Sequence, residues 1–304
     1  MTSSVLSSYD PVIHVARAIW IQDWRDGRMA LVTSYLDGSG SPSTSVVAVA
    51  ALVTTADKWE KFSAEWSSRL PDGISALHMK HFCHSLGEFS DWKGDEPRRA
   101  RFLNGLLWAI EEYVDFTAAC AVHMADYNAV DADYAIGLVM RPYTLAALTC
   151  SQAIIEWSER NDINRNDIAY IFEKGDNDQD DLRKTWTRQY PHIRVDPIFL
   201  RKCDVVPGSA TPNKVRIRPF EAGDFVAYEN LRGNQKFMDA GDETVYFDEL
   251  RKPLQRMRKL PGSDNWRYLD KPTLEKLCRD WNVPRRPVDP ASLVFQSPAG
   301  KDVQ

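Results

Sequence analysis

The chain has 304 residues, of which 43% are hydrophobic and 27% are charged, and its formal net charge is −5. This balance is typical of a globular protein long enough to form one large domain, or a domain with an extension. The charge excludes a surface that is basic throughout, although a local basic groove for nucleic acid is compatible with a negative total.

Neither a membrane nor a secretory route is indicated by the sequence. No apolar run approaches the roughly 20 residues that a membrane-spanning helix needs, so we expect no membrane association. The segment MTSSVLSSYDPVIHVARAIW lacks a basic region followed by an uninterrupted apolar stretch, unlike a secretory signal. The five scattered cysteines form no CxxC pair, which predicts reduced thiols in a cytoplasmic protein.

The apolar pattern predicts alternating strands and helices after an N-terminal arm over residues 1–28. The run VVAVAALV at residues 46–53 is apolar on both alternating faces, which is typical of a strand covered on both sides. Trp59, Phe62 and Trp66 recur at helical spacing ahead of Pro71 and predict an amphipathic helix. The other predicted elements are, in chain order, a strand at 29–37, a short strand around ALHMKHF, a helix over 96–114, a strand at 116–124, a helix over 143–159, a strand at 168–172, a helix near 180–190, a strand around DPIFLRKC, and a helix in RPFEAGDFVAYENLRG that Gly233 ends.

This order predicts an α/β fold with a mixed sheet flanked by helices. Hairpin strands come first, and helices then alternate with strands. We expect the α/β domain to cover residues 29–235. A basic helical extension with a Pro-rich tail would follow over residues 236–304.

Three acidic residues occupy positions that favour a shared site. Asp37 and Glu173 each end a predicted strand, at the edge where open α/β sheets tend to place ligand sites. Asp224 falls on the stripe of its helix that should pack inward. A buried carboxylate needs a cation, and the two strand-end acids can help to build its surroundings.

Converging carboxylates suit hard divalent cations such as Mg²⁺ or Mn²⁺, which take oxygen ligands and are completed by substrate phosphates. Two such ions roughly 4 Å apart activate a water and stabilise the leaving oxygen of a phosphoryl displacement. The other interpretation is structural. A strand-end aspartate commonly caps a turn, and a buried helix acid is commonly paired in a salt bridge.

The segments YLDGSG, LHMKHF, YIFEKGD and EAGDFVAYE resemble, in this order, the landmarks of the domain-of-unknown-function family 3800, which is grouped with the ribonuclease H-like fold. The resemblance covers about residues 29–235 and rests on the set of short motifs and their order. It implies a ribonuclease H-like mixed sheet and a metal-dependent, nuclease-like active site with Asp37, Glu173 and Asp224 as metal ligands.

Two positions depart from the family pattern. Gly38 stands where the family usually has a second acid after the first Asp, and His81 stands where members often carry an acid. Both changes reduce the negative charge of the expected site. They favour a degenerate protein that binds without catalysing.

The segment HMKHFCH at residues 78–84 gathers His78, His81, Cys83 and His84, which are ligand types that Zn²⁺ prefers. The spacing does not aim all of these rings at one centre, and no second His/Cys cluster supplies further ligands. We therefore take His78 as a candidate catalytic residue that contacts the scissile phosphate or the attacking water. Ordinary packed or exposed histidines are the structural alternative.

The sequence thus predicts a metal-dependent nuclease, with DNA or RNA undetermined as the substrate. In this hypothesis the basic segments 214–218 and 251–259 follow the nucleic-acid backbone. Two alternatives stay open. One is a non-catalytic module that binds nucleic acid or a protein partner, for example in a defence or mobile-element system. The other is a metal hydrolase of small phosphoesters.

Overall fold

The structure is a computed structural model of the chain, and it describes residues 32–175, 178–191, 193, 195–205, 214–240 and 252–286. The predicted N-terminal arm over residues 1–28 and the end of the Pro-rich tail lie outside the described residues. The strands are β1 (Val32–Ser39), β2 (Val46–Thr55), β3 (Phe116–His123), β4 (Ile168–Glu173), β5 (Ile198–Leu200), β6 (Cys203–Val205), β7 (Lys214–Arg216) and β8 (Arg267–Leu269). The helices are α1 (Ala56–Ser68), α2 (Met79–His84), α3 (Glu96–Tyr113), α4 (Met124–Asp133), α5 (Ile136–Val139), α6 (Pro142–Arg160), α7 (Gln179–Gln189), α8 (Arg218–Ala240), α9 (Lys252–Met257) and α10 (Lys271–Asp280).

The main sheet is mixed and has the strand order β5-β4-β1-β2-β3-β8. Strands β1, β2 and β3 are antiparallel neighbours, whereas β4 and β5 continue the sheet parallel to β1. Strands β6 and β7 form a separate antiparallel pair. The α/β class with a mixed sheet flanked by helices is therefore confirmed.

Helices cover both faces of this sheet, which explains why β2 is apolar on both sides. One face packs against α4, α6, α7 and α10, and we call it the α6 face. The other packs against α1, α3 and α8, and we call it the α8 face. Val49 of β2 belongs to the core on the α6 face, and its neighbour Ala50 belongs to the core on the α8 face.

The first hairpin depends on Gly40, which lies between β1 and β2 with φ of 86°. This left-handed conformation is available to glycine without the steric cost that a side chain brings. A Cβ at this position would also collide with the carbonyl oxygen of Val46. The turn therefore holds β1 and β2 in register and fixes where β1 ends.

Two predictions of local structure are wrong. The segment around ALHMKHF forms helix α2 rather than a strand, since Met79 and Phe82 are buried three residues apart on one helical face. Gly233 does not end its helix, because α8 continues to Ala240 with Gly233 buried in its interior. Tertiary packing there outweighs the low helix propensity of glycine.

The chain beyond residue 235 takes part in the sheet. Strand β8 pairs in parallel with β3, and Leu274 and Cys278 of α10 are buried in the core of the α6 face. No helix in the described part of the chain is long and apolar enough to cross a membrane.

Candidate functional site

Asp37 and Glu173 lie side by side at the ends of two parallel strands. Leu36 of β1 is opposite Phe172 of β4, so the next residues of the two strands are also neighbours. Tyr35, two residues before Asp37, packs in the core of the α8 face. Because side chains alternate between the two faces of a strand, Asp37 and Glu173 both point to the α8 face.

Strand β5 brings a lysine to the same place. Leu200 is opposite Glu173 and packs toward the α8 face, and Lys202 follows two residues later. The Nζ atom of Lys202 lies 2.9 Å from Oδ2 of Asp37 and 3.2 Å from Oε2 of Glu173. Three adjacent parallel strands thus each contribute one charged side chain to a single point.

Helix α8 contributes Asp224 from above the sheet. Its Oδ2 atom lies 3.9 Å from Nζ of Lys202 and accepts a hydrogen bond of 3.0 Å from the backbone N–H of Met79. A Cβ at Gly223 would lie 2.8 Å from Cβ of Asp37, closer than side chains normally approach. Glycine at 223 therefore lets α8 come close enough for Asp224 to face Asp37.

We call Asp37, Glu173, Asp224 and Lys202 the carboxylate–lysine cluster. Its centre is shielded from water, since the side chain of Asp37 is 0% exposed and that of Asp224 is 8% exposed. Burial opposes ionisation of Asp224, but the nearby Lys202 ammonium and the contacts with His78 and Met79 outweigh it and hold the pKa of this carboxyl below its ordinary value. Burial likewise opposes the charge of Lys202, but the three carboxylates outweigh it and raise the pKa of the ammonium above its ordinary value.

Asp37 has a contact at each of its oxygen atoms. Oδ2 faces the Lys202 ammonium, and Oδ1 accepts a hydrogen bond of 2.8 Å from the backbone N–H of Gly38. Neighbouring residues of a strand point to opposite faces. An acid at position 38 would therefore not aim at the same point as Asp37, and glycine there leaves the cluster itself intact.

His78 lies at the rim of the cluster, just before helix α2. Its Nδ1 atom is 3.1 Å from Oδ2 of Asp224, and its side chain is 52% exposed. The ring of His81 is 4.8 Å from that of His78 and is open to solvent. The structure therefore gathers the four residues selected from the sequence, Asp37, Glu173, Asp224 and His78, within one site.

Glu221, a buried acid one turn before Asp224 in α8, anchors the segment that carries His78. Oε2 of Glu221 accepts hydrogen bonds from the indole N–H of Trp66 and from the backbone N–H of Leu77, at 3.0 and 2.9 Å. Its other oxygen pairs with Arg218 at 2.5 Å. Glu221 and Asp224 thus fix Leu77 and Met79, the residues on either side of His78.

The donor chemistry of the cluster suits a hard divalent cation, but Lys202 occupies the point where the carboxylates meet. The carboxylates outnumber the single ammonium group, so the cluster has an excess of negative charge that a further cation would offset. In the part of the chain that the structure describes, no three His, Cys, Asp or Glu side chains form a group that could hold a metal ion. The same finding applies to HMKHFCH: its histidines and cysteine, all among the described residues, form no group that could hold Zn²⁺.

Several residues of the predicted basic segments have structural partners. Arg218 binds Glu221, and Arg256 pairs with Glu111 and also donates to Asn104. Arg251 lies outside the described residues. Lys174 and Arg201 are exposed and adjoin Glu173 and Lys202 in sequence, and the exposed Arg216 donates a hydrogen bond of 3.1 Å to Ser75 Oγ.

Lys202 is the residue of the site that the sequence analysis missed. The signal was present in the strand predicted around DPIFLRKC, where Ile198, Leu200 and Lys202 alternate toward one face. A lysine that continues an inward-facing stripe needs carboxylate partners. Three such partners had already been selected.

The comparisons with known proteins do not place the chain in a family: no protein-family model matches it, and no curated protein matches it.

Proposed function

We propose that the chain is a divalent-metal-dependent phosphodiesterase that acts on nucleic acid and has a ribonuclease H-like fold. The convergence of Asp37, Glu173 and Asp224 at one sheet edge supports this proposal most strongly. The antiparallel β1–β2–β3 hairpins beside the parallel strands β4 and β5 support the fold assignment. Whether the substrate is DNA or RNA stays open.

In this proposal Asp37 and Asp224 hold Mg²⁺ or Mn²⁺ from two sides, and Glu173 completes the set of ligands. Such a cation, when bound, supplies an activated water and a stabilising charge for the leaving oxygen. The chain itself supplies the groups that position these carboxylates. Asp37 lies near the end of β1, which has a paired strand on each side, and the Met79 N–H orients Asp224, so the fold itself holds both carboxylates in place.

His78 has the position of a group that meets the substrate. Its ring is half exposed at the rim, and Asp224 orients it through Nδ1, which leaves Nε2 directed away from that carboxylate. An imidazole nitrogen can donate a hydrogen bond to a phosphate oxygen or accept one from a water. We propose that His78 contacts the scissile phosphate or the attacking water.

The exposed cations around the site fit a polyanionic substrate. Lys174, Arg201 and Arg216 lie in or next to the strand ends and the β6–β7 pair that border the cluster. Basic side chains around a site attract a phosphate backbone independently of its sequence.

The substitution Asp37→Asn tests this function. It keeps the size of the side chain but removes the charge, so we expect Mn²⁺-dependent cleavage of single- and double-stranded DNA and RNA to fall by at least about 100-fold. Asp280→Asn is the matched control, because Asp280 is exposed on α10 across the sheet. Retained cleavage in a folded Asp37→Asn protein would contradict the assignment.

A second candidate is a binding module without turnover. The observation that favours it is Lys202, whose ammonium already pairs with two of the carboxylates and takes the position expected of a metal ion. Such a protein would bind nucleic acid or a protein partner with the fold intact. In that case the wild type would cleave none of the tested substrates in the presence of Mn²⁺.

A further inference from the structure

The Lys202 ammonium lies at the meeting point of three carboxylates that the proposed function assigns to a metal ion. We infer that Lys202 is the resident counter-ion of this cluster and that a divalent cation binds by displacing it. This inference rests on the proposed function. It adds that Lys202 competes with the metal ion for the carboxylate oxygens. It also accounts for the lack of a ready-made metal site among the described residues.

The ammonium and a metal ion cannot share the same oxygen atoms. Nζ of Lys202 is 2.9 Å from Oδ2 of Asp37, whereas Mg²⁺ binds oxygen at about 2.0–2.1 Å. A cation at that distance from Oδ2 would face the ammonium across a few ångströms of poorly hydrated space, where like charges repel strongly.

Lys202 can leave the cluster without unfolding of the sheet. Its side chain is 24% exposed, so part of the lysine already reaches solvent. The backbone around it is held by other contacts, since the Lys202 carbonyl accepts the Ile217 N–H at 2.9 Å and Leu200 pairs in β5. A lysine stem is flexible and its ammonium is strongly hydrated, so release into solvent restores the favourable hydration.

Displacement has a consequence for metal affinity. The wild-type protein must break the contacts of Lys202 with Asp37 and Glu173 before the metal ion can bind. Lys202→Met keeps a side chain of similar length without the charge, so a metal ion would not have to displace an ammonium from the carboxylates. We expect titration calorimetry to show Mn²⁺ binding to Lys202→Met that is tighter than wild type by on the order of tenfold or more.

Lys174→Met is the matched control for this titration. Lys174 directly follows Glu173 and its side chain is exposed, so the variant loses the same charge near the site but outside the cluster. We expect its Mn²⁺ affinity to stay close to wild type. Asp224→Asn is the site control and should bind Mn²⁺ weakly or not at all.

A second measurement uses the wild-type protein, because Lys202→Met leaves Asp37 buried without its cation and this can prevent folding. Acylation by an amine-reactive ester, followed by mass spectrometry, reports how accessible each lysine is. We expect Lys202 to react slowly without metal and at least severalfold faster with saturating Mn²⁺. The reactivity of Lys174 should not change.

The outcomes separate the two proposals. If Mn²⁺ binds to wild type and is lost in Asp224→Asn, but Lys202→Met binds no tighter and the labelling of Lys202 does not rise, the displacement is wrong and the metal site stands. If no variant binds Mn²⁺, with or without a nucleic acid, both the metal site and the displacement are wrong. Tighter binding by Lys202→Met together with faster labelling of Lys202 supports both.

Discussion

Gly223 decides at the residue scale whether two carboxylates can meet. It lies in the interior of α8, where glycine is ordinarily unfavourable by about 1 kcal/mol relative to alanine. Here the missing side chain is required, because a Cβ would lie 2.8 Å from Cβ of Asp37. Helix α8 therefore contains a residue of low helix propensity at 223, and this places Asp224 against the end of β1.

Replacement of Gly223 by alanine should therefore destabilise the protein despite the higher helix propensity of alanine. We expect a loss of about 1–3 kcal/mol in the free energy of unfolding, the usual cost of overpacking a core. Gly105→Ala in α3 is the matched control, since its Cβ would meet only the flexible end of Arg69. Its stability should be unchanged or raised by up to about 1 kcal/mol. Urea unfolding measures both, and a Gly223→Ala protein as stable as Gly105→Ala would contradict the close approach.

The sequence indicates the acids of the site more directly than their cation. Asp37 and Glu173 follow apolar strands and Asp224 breaks an apolar helical stripe, so each is conspicuous in one dimension. The alternation of Ile198, Leu200 and Lys202 indicates that this lysine faces inward, but it does not indicate which carboxylates the lysine meets. Its importance depends on the pairing of β5 beside β4, which is a long-range contact that no local pattern encodes.

At the scale of elements, α8 carries most of the interactions that build the site. Asp224 fixes Met79, and Glu221 one turn earlier fixes Leu77 and Trp66. These contacts hold the irregular segment before α2, which explains why His78 has a defined place without belonging to a strand. The sequence does not indicate the helical form of α2, because this helix has only six residues and a single buried pair, Met79 and Phe82, to show its spacing.

Removal of the Glu221 carboxylate should loosen this segment. Glu221→Ala leaves Arg218 without its carboxylate partner and leaves the Trp66 and Leu77 N–H groups without their acceptor, so we expect a loss of about 3–5 kcal/mol in unfolding free energy. The amide of Leu77 should also exchange its hydrogen faster. Glu111→Ala breaks a more exposed pair with Arg256 and should cost about 1 kcal/mol or less. Equal costs in the two variants would argue against Glu221 as an anchor.

At the scale of the whole molecule, the sheet explains why residues far apart in sequence meet. Strand β1 lies inside the sheet, between β2 and β4, so Asp37 at its end is adjacent to the end of β4. The class of fold and most of the long elements follow from apolar periodicity, as in β2, α3 and α6. The contribution of β8 does not, because three residues carry no period and pair with β3 only through the tertiary fold.

The same scale explains the electrostatics. A chain with net charge −5 collects three acids at one sheet edge, and burial alone would not favour that arrangement. Lys202 offsets part of this charge. Three carboxylates around one ammonium leave an excess of negative charge beside Lys202. This excess supports the proposed binding of a divalent cation at the cluster.

The most direct test is a calorimetric titration of Mn²⁺ into the wild type and into Asp224→Asn, each with and without a short nucleic acid. Asp224→Asn keeps an oxygen to accept the Met79 N–H, so its fold should be retained, as circular dichroism can verify. Our prediction is Mn²⁺ binding by the wild type that the substitution removes. Equal binding by both proteins, or no binding by either one in the presence of nucleic acid, would contradict it.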